Sequence, residues 1–111
     1  MAAVKTPWYP WLGKVPAHLT YYNGTMEEMV EDAARRNPGT VAYTFMGSRT
    51  LYPRMVEEIQ ECARALRALG IREGERVTIA MPNCPQAVIM FYAVNVVGAI
   101  ANMIHPLSAE G

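Results

Sequence analysis

The sequence predicts an α/β fold: a partial, mostly parallel sheet flanked by helices, with a β-hairpin toward its N-terminal side. Three observations carry this expectation. Residues 77–109 contain no Asp, Glu, Lys or Arg, and they read as strand, helix, strand. VTIAM has the character of a strand covered on both faces, and QAVIMFYAVNVV is apolar around most of a helical circumference. TVAYTFMGSRTLY alternates around a Gly47-Ser48 turn, the mark of a hairpin. Two further segments carry helical periodicity with start and stop signals. A buried strand, a buried helix and a second apolar strand, AIANMI, form a parallel crossover unit, and the sheet it belongs to is larger than these residues complete.

Residues 1–24 place Trp8, Tyr9, Trp11, Tyr21 and Tyr22 among prolines and glycines with no sustained period, and read as an arm. Rings of this size are expected to pack the arm against the body of the fold, although Trp and Tyr also suit a ligand or partner groove. The α/β part spans residues 25–111. Thr25 opens its first helix with TMEE, where the hydroxyl caps an amide and Glu28 reaches back. Met26, Met29, Val30 and Ala33 form the stripe expected to be buried. Asn37, Pro38 and Gly39 end this helix. Pro53 fits the first turn of a second helix over residues 53–69, whose Met55, Ile59, Cys62, Leu66 and Leu69 recur at steps of four and three on one face. Gly70 caps that helix, GIREGE turns the chain, and a strand is expected over residues 76–81. Gly98 ends the third helix.

A single domain of 111 residues buries roughly two-thirds of its unfolded surface, enough for a real core. Ten basic and ten acidic residues balance to zero, so the whole-chain charge gives no footprint for nucleic acid or anionic lipid. Cys62 and Cys84 have neither metal-ligand spacing nor the density of a disulfide scaffold, and read as small buried hydrophobes. The first residues lack the apolar stretch of a signal peptide, which makes the cytoplasm the default location. The uncharged run is not expected to cross a bilayer. Asn95 and Asn102 interrupt it, and Pro85 and Gly98 bound a helix of only about 18 Å.

The chemistry-bearing residues are few. There is no Gly-rich phosphate loop ending in Lys. His18 and His105 stand far apart without ligand-spaced companions, which argues against a metal. Glu57, Glu58 and Glu61 precede Arg64 and Arg67, a polarity that suits the helix dipole and reads as a solvated face. In open α/β sheets ligands gather outside the carboxyl ends of the strands. Position alone therefore singles out Asn83, in the Pro82-Asn83-Cys84 segment, and His105, in His105-Pro106-Leu107-Ser108, as candidate substrate-binding residues. Asn83 also stands where it could cap the following helix, and His105 could be a turn residue held by backbone hydrogen bonds or a proton carrier.

Taken together, TMEEMVEDAARRNPGTVAYTF, the hairpin with TLYPRM, and ALRALGIREGERVTIAMPNCPQAVIMFYAVNVVGAIANMIHPL resemble the N-terminal region of AMP-forming acyl-CoA synthetases, in the adenylate-forming superfamily. The resemblance runs over residues 25–107. Its most specific parts are the Leu-x-x-Leu-Gly-Ile-x-x-Gly-Glu-x-Val junction from Leu66 to Val77, the Pro82-Asn83 pair and Val97-Gly98-Ala99. It implies a subdomain of a two-step ligase: a carboxylate attacks the α-phosphorus of ATP to give an acyl-adenylate and pyrophosphate, and coenzyme A then displaces AMP. The parent is expected to use ATP, Mg²⁺ and coenzyme A, none of them bound by this segment alone. No catalytic residue of the family maps onto these positions, so the segment is expected to be inactive by itself, with the remainder of its own polypeptide as partner. His105 departs from the pattern, standing where many relatives carry Asn or another residue before Pro.

The competing reading is a freestanding, non-enzymatic α/β interaction module that self-associates. The two differ in what they expect: the segment of a larger enzyme should expose a large apolar face or an unpaired sheet edge and bury it against a second copy, as a homodimer, or aggregate, whereas the module should be monomeric or form one defined dimer without ligand chemistry.

Overall fold

The computed structural model describes residues 5–107, so Ser108 and the first four residues of the arm lie outside the described part. A short 3-10 helix (Tyr9–Leu12) stands in the arm. The body follows as helix α1 (Met26–Arg36), strands β1 (Val41–Phe45) and β2 (Ser48–Leu51), helix α2 (Tyr52–Ala68), strand β3 (Arg76–Ala80), helix α3 (Pro85–Val97) and strand β4 (Ile100–Ile104). β1 and β2 pair antiparallel, while β3 and β4 pair parallel in register from Arg76↔Ile100 to Ala80↔Ile104. The crossover unit is therefore present. Among the described residues the two pairs remain separate two-stranded sheets.

Helix ends are set locally. Thr25 Oγ1 accepts the Glu28 N–H at 3.1 Å and Glu28 Oε2 accepts the Thr25 N–H at 3.1 Å, completing the capping box. α2 starts without a side-chain cap, but the Tyr52 N–H donates to the Thr40 carbonyl at 3.1 Å and Pro53 has no N–H to satisfy. α2 and α3 close with the same device. Ile71 N–H donates to Leu66 O and Gly70 N–H to Arg67 O; Ala99 N–H donates to Val94 O and Gly98 N–H to Asn95 O, all at 3.0–3.1 Å. These are Schellman closures, and Ile71 and Ala99 pack onto the core beside them. The Gly98 carbonyl then accepts from Gly74 N–H at 3.0 Å, which brings the end of α3 to the start of β3.

The core is a helix pair. Of ten buried apolar residues, Met55, Ile59, Ala63 and Leu66 lie on α2 and Ala87, Ile89, Ala93 and Val94 on α3. Val30 of α1 and Ile79 of β3 complete it. Several expectations are corrected here. Leu69 is 80% exposed, because the closing turn carries it outward and Ile71 fills the place beside Leu66, while Ala63 is fully buried instead. Met26 and Met29 are about half exposed, since α1 meets the core along the ridge of Val30. The hairpin turn is centred on Met46 and Gly47, both with positive φ, and Ser48 already pairs with Phe45. Cys62 and Cys84 are only half-buried, with free thiols.

Two larger corrections concern covering. The arm does not bury its aromatic residues against the body: Trp8, Trp11 and Tyr21 are 53%, 87% and 70% exposed, and Tyr9 meets Trp8 and His18 edge-on within the arm. β3 and β4 are not covered on both faces. Val77 and Ile79 lie against the helices, whereas the opposite face, with Thr78, Ala80, Ile100, Asn102 and Ile104, is open. The accessible surface, 8695 Å², exceeds the roughly 6,100 Å² of a compact monomer of this mass. About half rather than two-thirds of the unfolded-chain surface is buried.

Gly98 sits at φ +83°, and a Cβ there would lie 3.1 Å from Glu73 Cγ. Gly98→Ala is therefore expected to cost about 1–2 kcal/mol, read as a lower urea midpoint at unchanged slope. An unchanged midpoint would contradict this account of the α3–β4 turn.

Candidate functional site

Parallel pairing puts the carboxyl ends of β3 and β4 side by side, so the chain leaves both strands on one edge. Asn83 and His105 stand on the two segments that leave there. The geometry separates their roles. His105 is exposed, and its Nδ1 accepts the Leu107 N–H at 3.1 Å. That bond folds the residue into the turn and leaves the proton of a neutral ring on Nε2. Asn83 is exposed and does not cap α3. Cys84 is the N-cap, in extended backbone and without a side-chain hydrogen bond to the helix, because Pro85 at the first helical position shifts the start by one residue.

Asn83 lines a cleft of about 640 Å³ between the hairpin and α3. Tyr43 and Phe45 of β1 form one wall, Cys84, Val88, Phe91 and Tyr92 another, and Met103 of β4 reaches in. His105 is not part of this lining, so the two sequence-derived candidates share an edge but not a cavity. The cleft has the size of a small-molecule site. No Lys, Arg, Asp or Glu lines it, and nothing in it could balance a triphosphate or hold Mg²⁺. Among the described residues, no three His, Cys, Asp or Glu side chains converge to hold a metal ion. Burial pushes the Cys62 thiol up, away from the thiolate, and its Sγ faces Met90 Sδ at 3.9 Å.

Several polar contacts between and along the helices have no clear signal in the sequence. Glu57, Glu58 and Glu61 are not held by the helix dipole, because they lie beyond the first turn, where its effect has faded. Arg54, one turn earlier, pairs with all three at 3.1, 3.5 and 3.6 Å. Nor is Glu58 simply solvated: the Tyr43 hydroxyl donates to its carboxylate at 3.2 Å, tying the hairpin to α2. Asn95, the polar break in the apolar run, accepts the Glu27 N–H at 3.4 Å and so satisfies a free amide at the start of α1. Gln60 donates to Glu27 Oε1 at 3.1 Å. Burial, and then a hydrogen bond with Glu31, push the Glu27 carboxyl up to about 7. The only sequence signal for this cluster was an amide in an apolar helix.

Comparison with known proteins places these features. The sequence family described as AMP-binding enzyme matches residues 30–111. A long-chain-fatty-acid–CoA ligase of Bacillus subtilis is 32% identical over 91% of this chain, and a salicyl-AMP ligase of Mycobacterium tuberculosis is 34% identical over 78%. The chain spans 19% and 16% of their lengths. Among solved structures, a fatty acyl CoA synthetase of Mycobacterium tuberculosis superposes with a TM-score of 0.73 at 32% identity, covering 77% of this chain and 17% of that one. The N-terminal subdomain of Klebsiella oxytoca NpsA shares the fold, with a TM-score of 0.76 at 22% identity, over 79% of this chain and 23% of that one.

The Glu27 cluster has a signature that needs no ligand. Its folded-state pKa lies above the ordinary value, so the native chain holds an extra proton between about 4.5 and about 7. Its contribution to stability is full below that window and is lost as pH rises through it. Glu27→Gln, neutral and of the same shape, is expected to raise stability at pH 8 by about 1 kcal/mol or less after solvent screening, with no gain at pH 4.5. Thermal melts at both pH values check this; the same gain at each would contradict the assignment.

Proposed function

The chain belongs to the AMP-binding enzyme family, and from that premise we propose that it is the N-terminal scaffold of an AMP-forming acyl-CoA synthetase. The reaction assigned to the parent converts a carboxylic or fatty acid, ATP and coenzyme A to acyl-CoA, AMP and pyrophosphate through an acyl-adenylate. One observation carries the proposal: the family match takes in β1 to β4 together with α2 and α3, so the resemblance is to an architecture rather than to a short motif. The fatty-acid ligase of Bacillus subtilis extends it over 91% of the chain.

The role proposed for this segment is structural. β3 and β4 present an open face and two free edges, on which further strands and helices of the same polypeptide would complete the sheet. Such completion would bury Ile100 and Ile104, which are 52% and 45% exposed. The nucleotide, Mg²⁺ and coenzyme A of the overall reaction do not fit the residues present. The cleft is uncharged, and no phosphate loop occurs in the sequence. No catalytic step is assigned to this segment. Asn83 and His105 are proposed to position loops at the edge where the parent's acyl and nucleotide sites would lie. The cytoplasm, where ATP and coenzyme A are supplied, is the compartment this reading assigns; no helix among the described residues is long and apolar enough to cross a membrane.

Carboxylate-dependent pyrophosphate release with ATP, Mg²⁺ and short-, medium- and long-chain acids tests the proposal, on this chain and on a full-length family polypeptide carrying it. Release is expected from the full-length protein alone. Turnover by the 111-residue chain would overturn the scaffold role. Silence from both, with a defined dimer of this chain in sedimentation, would favour a self-associating module.

A further inference from the structure

The proposed scaffold role gives the arm no part, although the Bacillus subtilis ligase match, over 91% of the chain, takes in some of its residues. Both tryptophans and both lysines of the chain fall within residues 5–14, and no Asp or Glu precedes Glu27. The acids and the arginines all belong to the body, so whole-chain neutrality conceals a cationic, aromatic segment. The arm is also shaped. Tyr9, Trp11 and Val15 donate backbone hydrogen bonds to Thr6, Trp8 and Leu12 at 3.1, 2.9 and 2.9 Å. Trp8 stands edge-on to Tyr9 at 6.0 Å, and Tyr9 to His18 at 6.1 Å, with the hydroxyl 3.2 Å from His18 Nε2. This local framework holds Trp8, Trp11, Val15 and Leu19 outward, at 53%, 87%, 62% and 67% exposure. Lys5 and Lys14 are exposed on either side of the rings.

We infer that the arm is an interfacial anchor that seats on the surface of an anionic phospholipid bilayer. Trp and Tyr concentrate at the membrane–water boundary because one part of the ring system is apolar and another makes hydrogen bonds. Lysines beside them meet anionic headgroups, each raising partitioning roughly fivefold, and no acidic side chain of the arm opposes that attraction. The 3-10 helix is only four residues long, so the arm lies on the bilayer and does not span it. A protein groove is the less favoured occupant, because the exposed rings follow neither the helical nor the strand period that such grooves read. The inference does not depend on the ligase reading.

Because both tryptophans are in the arm, intrinsic fluorescence of the whole chain reports on this segment alone. The chain is titrated with phosphatidylcholine vesicles containing about one phosphatidylglycerol in three, and with vesicles of phosphatidylcholine only. A blue shift and co-sedimentation with the anionic vesicles are expected, weakened roughly 25-fold in the Lys5→Ala/Lys14→Ala double variant and abolished in sedimentation by Trp8→Ser/Trp11→Ser. Circular dichroism should be unchanged in both variants, since the replaced side chains are exposed. No response to either vesicle, or equal binding to both, would overturn the inference. So would a concentration-dependent blue shift without lipid, which would mean that copies of the chain cover the arm.

Discussion

The contact between α2 and α3 is the constraint on which the rest of the molecule depends. Ala63 and Ala93 are both fully buried, and their small side chains let the two helices approach while Ile59, Leu66, Ile89 and Val94 fill the space alongside. Each large aliphatic residue so buried contributes about 1.5–3 kcal/mol of transfer free energy. The pair then serves as a wall for everything else. α1 leans on it through Val30 and through Asn95, the hairpin through Tyr43 and Glu58, and the parallel strands through Ile79. This explains why α3 is apolar around most of its circumference: α2 takes one side, the strands another, the uncharged cleft a third, and Asn95 faces α1.

The same geometry leaves one face of the parallel pair open. A parallel pair with helices on one face has its other face open, and parallel sheets are rarely stable in that condition. The open side is moderately polar in its middle, where Asn102 Nδ2 donates to Thr78 Oγ1 at 3.2 Å, and apolar at Ile100 and Ile104. Such a face suits packing against further elements better than it suits water. In the proposed scaffold role, this geometry fixes where Asn83 and His105 emerge, and the uncharged cleft assigns charge-handling chemistry to residues elsewhere.

Local signals in the sequence were read well because their physics is local. The capping box at Thr25, Pro53 at a helix start, Gly70 and Gly98 at helix ends, and the parallel relation of the two apolar strands all need only neighbouring residues or a simple topological rule. Positions that depend on a distant partner were misread. Leu69 fits the helical stripe, but the closing turn takes it out, and Ala63 carries the contact because of what α3 brings to it. Asn95 looked like an interruption until α1 supplied an amide for it to accept. Arg54 was missed because the acids were matched to the arginines that follow them rather than to the one before. Topology puts His105 and Asn83 on one edge, and only side-chain geometry shows that His105 closes a turn while Asn83 lines a cleft.

Native-state hydrogen exchange on this chain tests the central claim most directly. If the α2–α3 contact supports the other elements, the slowest amides will be those around Ala63 and Ala93, with α1 and the hairpin opening at lower free energy. If β3–β4 or the hairpin instead keeps its protection after α2 and α3 have exchanged, the helix pair is not the foundation of this fold.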